Sequence, residues 1–378
     1  MNNRSGLSLV IDEAIPYIRG VPEQAAAVSY LHGRSIGPGE IENADALIIR
    51  TRTICNANLL RGSRVSFIAT ATIGFDHIDT DYCRKHGITW TSAPGCNSGS
   101  VMQYMTASLL HLCIKHRLEP SEATLGIVGA GHVGSKVATA AKAIGMKVLL
   151  NDPPRQRREK YHGYTRLGQL LGESDIVTLH VPLTMQGRDA TFHLAGREFI
   201  ASMKRGAFLI NTSRGGITEE EEVKKALWSG QLRGYIADVW SGEPAADTEL
   251  IAMAEIATPH IAGYSADGKL NGTRIALQAL SNHFSVPLTL PDDSILPVPE
   301  QKDLPVPQNI DGITEALHHL IRVTYNVESE SSLFKSNPDE FEELRNNYPI
   351  RREFSAYTIK GMHPAVSVAR RLGFNTIR

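Results

Sequence analysis

Apolar and polar positions alternate along the chain in two distinct rhythms. Short, uninterrupted apolar runs bounded by turn residues occur at Leu7 to Ile11, Ala46 to Ile49, Val65 to Thr70, Thr124 to Val128, Lys147 to Leu150, Asp175 to His180, Ala207 to Asn211 and Gly234 to Val239. Longer stretches of helical composition lie between them, among them Ser98 to Lys115, Gly134 to Ile144 and Glu219 to Trp228. A strand covered on both faces reads as a continuous apolar run, so this alternation predicts an α/β protein built on mostly parallel sheets.

The pattern breaks once. Six prolines fall between Pro287 and Pro307, a density that forbids helix and predicts an extended connector. Beyond it, candidate helices at Gly312 to Tyr325, Asp339 to Asn346 and Pro364 to Leu372 and a candidate strand at Phe354 to Lys360 make a small terminal unit. Glu328 to Glu343 holds six acids and one Lys, whereas Arg345 to Arg378 holds seven Lys or Arg and one Glu. Such polarity fits a solvated surface, self-association or an anion site.

The 378 residues suit two or three domains, and 42% hydrophobic with 21% charged residues excludes a chain disordered over most of its length. A net charge of -1 gives no electrostatic case for nucleic acid or a membrane surface. The four cysteines form no C-x-x-C pair and stand near no His at zinc-finger spacing, so neither a disulfide framework nor a metal site is expected. No apolar run reaches the roughly 18 residues of a membrane span, and the first ten residues do not read as a signal peptide, so a cytoplasmic protein is expected.

The chemistry begins at Gly126 to Val137, G-I-V-G-A-G-H-V-G-S-K-V, with G-x-G-x-x-G at Gly129, Gly131 and Gly134. An apolar run precedes it, a helical pattern follows, and the next run ends at Asp152, 23 residues past Gly129. Gly129 allows a tight turn, Gly131 lets backbone approach a pyrophosphate, Gly134 lets helix pack on strand, and Asp152 suits the ribose hydroxyls of NAD. Arg155, Arg157 and Arg158 soften the preference over NADP. Because the fingerprint begins near residue 124, a separate domain must precede it.

Three further blocks close apolar runs: N-T-S-R-G at Asn211 to Gly215, D-V-W-S-G-E-P at Asp238 to Pro244 and T-P-H-I-A-G at Thr258 to Gly263. They offer a cation, a carboxylate and a base, which an enzyme oxidising an alcohol needs beside its nicotinamide. Together with the fingerprint they resemble the D-isomer-specific 2-hydroxyacid dehydrogenases over about residues 7 to 285. The resemblance implies a Rossmann-type doubly wound domain at 98–257, a flavodoxin-like substrate domain at 1–97 and 258–286, and Arg214, Glu243 and His260 as catalytic residues. It places NAD on Gly129, Gly131, His132, Val133, Gly134, Asp152, Val181, Thr212, Asp238 and Gly263.

A narrower likeness is carried by L-V-I-D-E-A-I-P, A-T-A-T-I-G-F-D-H, S-A-P-G-C-N, N-D-P-P-R, H-I-A-G-Y-S-A-D-G-K and the tail F-E-E-L-R-N-N-Y-P-I-R-R-E-F. It is to a branch of that family that takes a small phosphorylated 2-hydroxy acid and forms homodimers through a small α+β domain, here 287–378 with its linker. That likeness implies Thr51, Thr72 and Tyr264 on the substrate. Arg50 and, reaching from the tail to a neighbouring subunit's site, Arg351 are candidates for its phosphate. Ile73 and Phe75 beside Thr72, Arg52, and Val181 depart from the usual residues and bear on substrate preference. Another D-2-hydroxyacid dehydrogenase, such as a phosphoglycerate dehydrogenase, and a non-catalytic NAD-sensing protein remain alternatives.

Overall fold

A computed structural model describes residues 6–160, 163–307 and 309–377. The chain divides into two compact units, residues 1–97 with 265–297 and residues 98–264 with 298–378.

The first unit is built on a five-stranded parallel sheet. Its strands are β1 (Leu7–Asp12), β2 (Ala26–Leu31), β3 (Ala46–Ile49), β4 (Phe67–Thr70) and β5 (Thr89–Thr91), in the order β2-β1-β3-β4-β5. Successive side chains face opposite sides of a strand. Leu9 and Ile11 therefore pack with Ala276, Leu277 and Leu280 of the helix Ala266–Phe284, while Val10, Leu47 and Ile49 face Ile41, Leu59 and Leu60. Ser265 caps that helix by accepting from Gly268 N at 2.8 Å.

The second unit carries β6 (Thr124–Val128), β7 (Lys147–Asn151), β8 (Ile176–Leu179), β9 (Ala207–Asn211), β10 (Leu232–Ala237) and β11 (Ile256–Ala257). All are parallel, in the order β11-β10-β9-β8-β6-β7, so the direction of winding reverses between β6 and β8. This is the doubly wound Rossmann pattern, in which ligands bind at the carboxyl ends of the strands. Leu125, Ile127, Phe208, Ile210 and Ile236 pack on the helices Ser98–His116 and His132–Ala143, and Val177, Leu179, Leu209 and Tyr235 pack on the opposite face.

The C-terminal segment joins both faces of this core: Leu317, Leu320, Ala369 and Leu372 on one, Phe334 and Phe341 on the other. It carries a second parallel sheet of β12 (Asp303–Pro305), β13 (Thr358–Lys360) and β14 (Asn375–Ile377). The expected proline connector thus ends in a strand. β12 lies at the edge of its sheet, where a proline costs no central ladder bond, and Leu304 is buried. The helix Val327–Ser336, which the sequence pattern does not single out, lies beside β11. Ser331 Oγ accepts from Ala257 N at 3.0 Å, and Lys335 donates to Ala254 O. Just before β11, Glu255 meets His111 at 2.9 Å and Lys115 at 2.6 Å, and these partners outweigh burial to bring its carboxyl down to about 2.

Candidate active site

The turn after β6 is shaped by close backbone contacts. Gly129 has φ +95°, and a Cβ there would lie 2.4 Å from the His180 carbonyl oxygen. A Cβ on Gly134 would lie 2.0 Å from the Gly129 carbonyl oxygen, so only glycine lets the helix His132–Ala143 start this near its strand. Around Gly131 the space is open, and no side chain caps the helix, leaving amide groups of its first turn, where His132 and Val133 stand, for an anion. Asp152 Oδ2 accepts from Ala130 N at 2.9 Å and Oδ1 from Arg155 N at 2.9 Å, which sets the acid beside the turn. These residues fit a dinucleotide. Arg155 is tied to Glu159 at 2.7 Å and to the Ala130 carbonyl, and Arg157 pairs with Asp189, so both already have partners.

Three neighbouring strands bring the other blocks to the same edge of the sheet. Asn211 pairs with Ala237 and Ala237 with Ala257, so Arg214, Glu243 and His260 all lie just past the level of one register row. The turn at Gly215 packs so tightly on the next loop that a Cβ there would be 2.0 Å from the Trp240 carbonyl. His260 Nδ1 lies 2.8 Å from Glu243 Oε2, and Glu243 Oε1 accepts from Trp240 N at 2.9 Å. Burial works against the Glu243 charge, but the bond to His260 and its charge hold the carboxyl below its ordinary value. With Nδ1 donating to a carboxylate, Nε2 is the acceptor of the neutral ring. The His260 side chain is 31% exposed, enough to meet a ligand. Arg214 is half-buried and donates to the Ser213 carbonyl at 2.8 Å. Thr212 and His180 meet at 3.5 Å beside half-buried Val181, and burial takes the His180 ring down to about 3.

The loop that bears His260 is held from several directions. His260 has φ +58°, a left-handed conformation that surrounding contacts must enforce. Asp238, 1% exposed, accepts from Thr258 Oγ1 at 2.7 Å, Ile261 N at 2.7 Å and Ala262 N at 2.9 Å, so both its oxygens are taken up by this loop. Tyr104 Oη meets Thr258 Oγ1 at 2.8 Å, and Trp240 Nε1 donates to Thr258 O at 2.9 Å. Half-buried Gly263 follows, then Tyr264, whose hydroxyl accepts from Arg345 at 3.1 Å. On the other side of Trp240, Glu220 accepts from Ser241 N at 2.7 Å, and burial pushes its carboxyl up to about 7.

Arg351 corrects an expectation. Instead of reaching out toward a phosphate it is 5% exposed, donating to Ala262 O at 2.6 Å with its guanidinium 4.3 Å from the Tyr325 ring. Its position within the basic tail motif gives no sign of this, because the carbonyl it meets lies 89 residues earlier. Arg345, Tyr104, Ser331 and Glu220 likewise carry no sequence signal of these contacts; of the four, Arg345 alone lies within the tail motif Phe341 to Phe354.

In the first unit, Ile49 pairs with Thr70, which brings Arg50, Thr51 and Thr72 to the carboxyl ends of adjacent strands. Thr51 is exposed. Thr72 bonds Thr70 Oγ1 at 2.7 Å and donates to Gly74 O at 3.1 Å, while Arg50 spends one arm on Ala14 O at 3.0 Å.

A dinucleotide turn, a carboxylate-held histidine and an arginine along one sheet edge define an NAD-dependent dehydrogenase of the 2-hydroxyacid class. Residues 112–262 match the family described as D-isomer specific 2-hydroxyacid dehydrogenase, NAD binding domain, and residues 295–373 match a domain of unknown function, DUF3410. The chain is 47% identical to an erythronate-4-phosphate dehydrogenase of Bacteroides fragilis, over 93% of this chain and 99% of the relative. It is 36% identical to one of Cronobacter sakazakii over 98% of both chains. The crystal structure of D-lactate dehydrogenase from Aquifex aeolicus, complexed with NAD and lactic acid, matches with TM-score 0.61 and 27% identity over 75% of this chain and 99% of that one. The chain belongs to the erythronate-4-phosphate dehydrogenase family.

Proposed function

We propose that the chain oxidises 4-phospho-D-erythronate at C2 to 2-oxo-3-hydroxy-4-phosphobutanoate, a step toward pyridoxal phosphate, with His260, Glu243 and Arg214 as its reacting groups. The observation that carries this is the 2.8 Å bond between His260 Nδ1 and Glu243 Oε2 on the sheet edge that also bears the dinucleotide turn. When bound, NAD supplies the nicotinamide ring that accepts hydride. His260 Nε2 takes the proton of the C2 hydroxyl as that carbon is oxidised, and Glu243 steadies the imidazolium that results. Arg214 offers a planar fork to the carboxylate and the forming carbonyl, a geometry Lys lacks.

The names of the relatives support the phosphorylated substrate, and the likeness of their motifs supports Thr51, Thr72 and Tyr264 as substrate contacts. Arg50 is the cation we assign to the phosphate. The same reading makes the protein a cytoplasmic homodimer joined through its C-terminal segment, where Ile350 and Met362 are 72% and 89% exposed. Among the described residues, no helix is long and apolar enough to cross a membrane.

The test is NADH formation across a panel of 4-phospho-D-erythronate, D-erythronate, 3-phospho-D-glycerate and D-lactate. The proposal expects kcat/KM to favour 4-phospho-D-erythronate by at least about tenfold. A preference for 3-phospho-D-glycerate or D-lactate would overturn the substrate assignment. Tight NAD binding without turnover would overturn the enzymatic one.

A further inference from the structure

The loop His260 to Ala262 is gripped on both its polar sides. Its amides at Ile261 and Ala262 go to the Asp238 carboxylate, and its carbonyls at Ala262 and Ile261 receive Nη2 of Arg351, at 2.6 and 3.4 Å. Asp238 comes from the end of β10, but Arg351 comes from the C-terminal segment, outside the residues that match the NAD-binding family. We infer that Arg351 is a positioning residue for His260: the C-terminal segment supplies one jaw of a clamp whose other jaw is Asp238, and the clamp sets the histidine against Glu243.

Three features support this over ordinary packing. A buried guanidinium is costly unless its surroundings compensate, and here Nε and Nη1 have no hydrogen-bond partner among the described residues. The compensation is the ring of Tyr325 at 4.3 Å, with Tyr348 at 5.9 Å, together with the carboxylates of Glu330, on the helix Val327–Ser336, and of buried Asp238 across the loop. Among the described residues, the hydrogen bonds of Nη2, the nitrogen that is satisfied, go to the Ala262 and Ile261 carbonyls of the catalytic loop. Lastly, His260 sits in a left-handed conformation at φ +58°, which persists only where neighbouring contacts fix the backbone on each side. Releasing the carbonyls lets the loop relax and draws the imidazole away from Glu243 without touching the dinucleotide turn.

The inference rests on the reading of His260 as the base, so His260→Ala is run beside the Arg351 variants in the full chain. Arg351→Met keeps the stem and removes the donors. It should lower kcat by between about tenfold and a hundredfold, with KM for NAD and NADH-binding affinity within about twofold. Guanidinium ion added to Arg351→Ala should restore part of kcat. Arg351→Lys keeps the buried charge with a single donor nitrogen; it carries the test if the Met and Ala variants do not fold, and its kcat should fall while NADH affinity holds. The inference is overturned if folded Arg351→Met or Arg351→Lys keeps kcat within twofold of the parent. It is also overturned if kcat, NADH affinity and thermal midpoint fall together without rescue by guanidinium. An inactive His260→Ala beside fully active Arg351 variants defeats the clamp alone, whereas an active His260→Ala defeats the assignment of the base.

Discussion

The dinucleotide turn and the His260 loop lie on one sheet edge yet are held in opposite ways. Gly134, Ser135 and Asp152 shape the turn within a single strand-helix-strand stretch, through the Gly129 carbonyl and the bonds to Ala130, while Gly129 itself is pressed from outside it by the His180 carbonyl. The His260 loop is held by Tyr104, Asp238, Trp240 and Arg351, and the strand leading to it by Ser331, residues drawn from across the unit. A motif that supports itself can be recognised locally. One that relies on distant supports shows its reactive residue in the sequence but not what makes it work.

The sharpest way to break the contrast is in the turn. Gly134→Ala drives a Cβ into the Gly129 carbonyl and should cost several kcal/mol, about 3 or more, lowering the thermal midpoint and NADH binding together. Gly131→Ala meets open space, so it should leave the midpoint unchanged and weaken NADH binding alone. Equal thermal midpoints for the two variants would refute the description of the turn.

In the loop, Glu243→Gln keeps the shape and removes the charge facing His260. Turnover should fall by about a hundredfold, some 2 to 3 kcal/mol, with NADH titration unchanged.

Glu220 supplies a test in pH. Its folded-state carboxyl, raised by burial to about 7, binds a proton that the unfolded chain has already lost, so its contribution to stability is present in acid and lost as pH rises through about 7. Glu220→Gln should therefore be more stable than the parent by about 1 to 2 kcal/mol above that pH and show a smaller decline between about pH 4 and 7. Chemical denaturation at several pH values measures both.

The smallest effect is expected for Ser331→Ala. It leaves the Ala257 amide without its partner and should cost about 1 kcal/mol, while the exposed neighbour Ser332→Ala should cost little. Equal midpoints for these two would remove the Val327–Ser336 helix from the support of β11.

The same distinction explains what the sequence shows of the fold. β3, β6 and β9 fall where their apolar runs do, because both faces are covered and every residue of each is buried. β2 is an edge strand with partly exposed alternate positions and gives no such run. β12 hides among prolines. The helix Val327–Ser336 reads as part of an acidic polar stretch, although Val327, Ser331 and Phe334 are buried. Arg214, Glu243 and His260 stand out because each closes a strand. Arg351 does not, because a basic residue in a basic tail looks like surface until the fold turns it inward.

The central claim is that His260, oriented by Glu243, takes the substrate proton while the turn after β6 binds the cofactor independently. Single-turnover formation of NADH from 4-phospho-D-erythronate in His260→Ala, measured beside its affinity for NADH, tests this most directly. The account predicts hydride transfer slowed by about a thousandfold or more with affinity essentially unchanged. Transfer at a near-normal rate would contradict it.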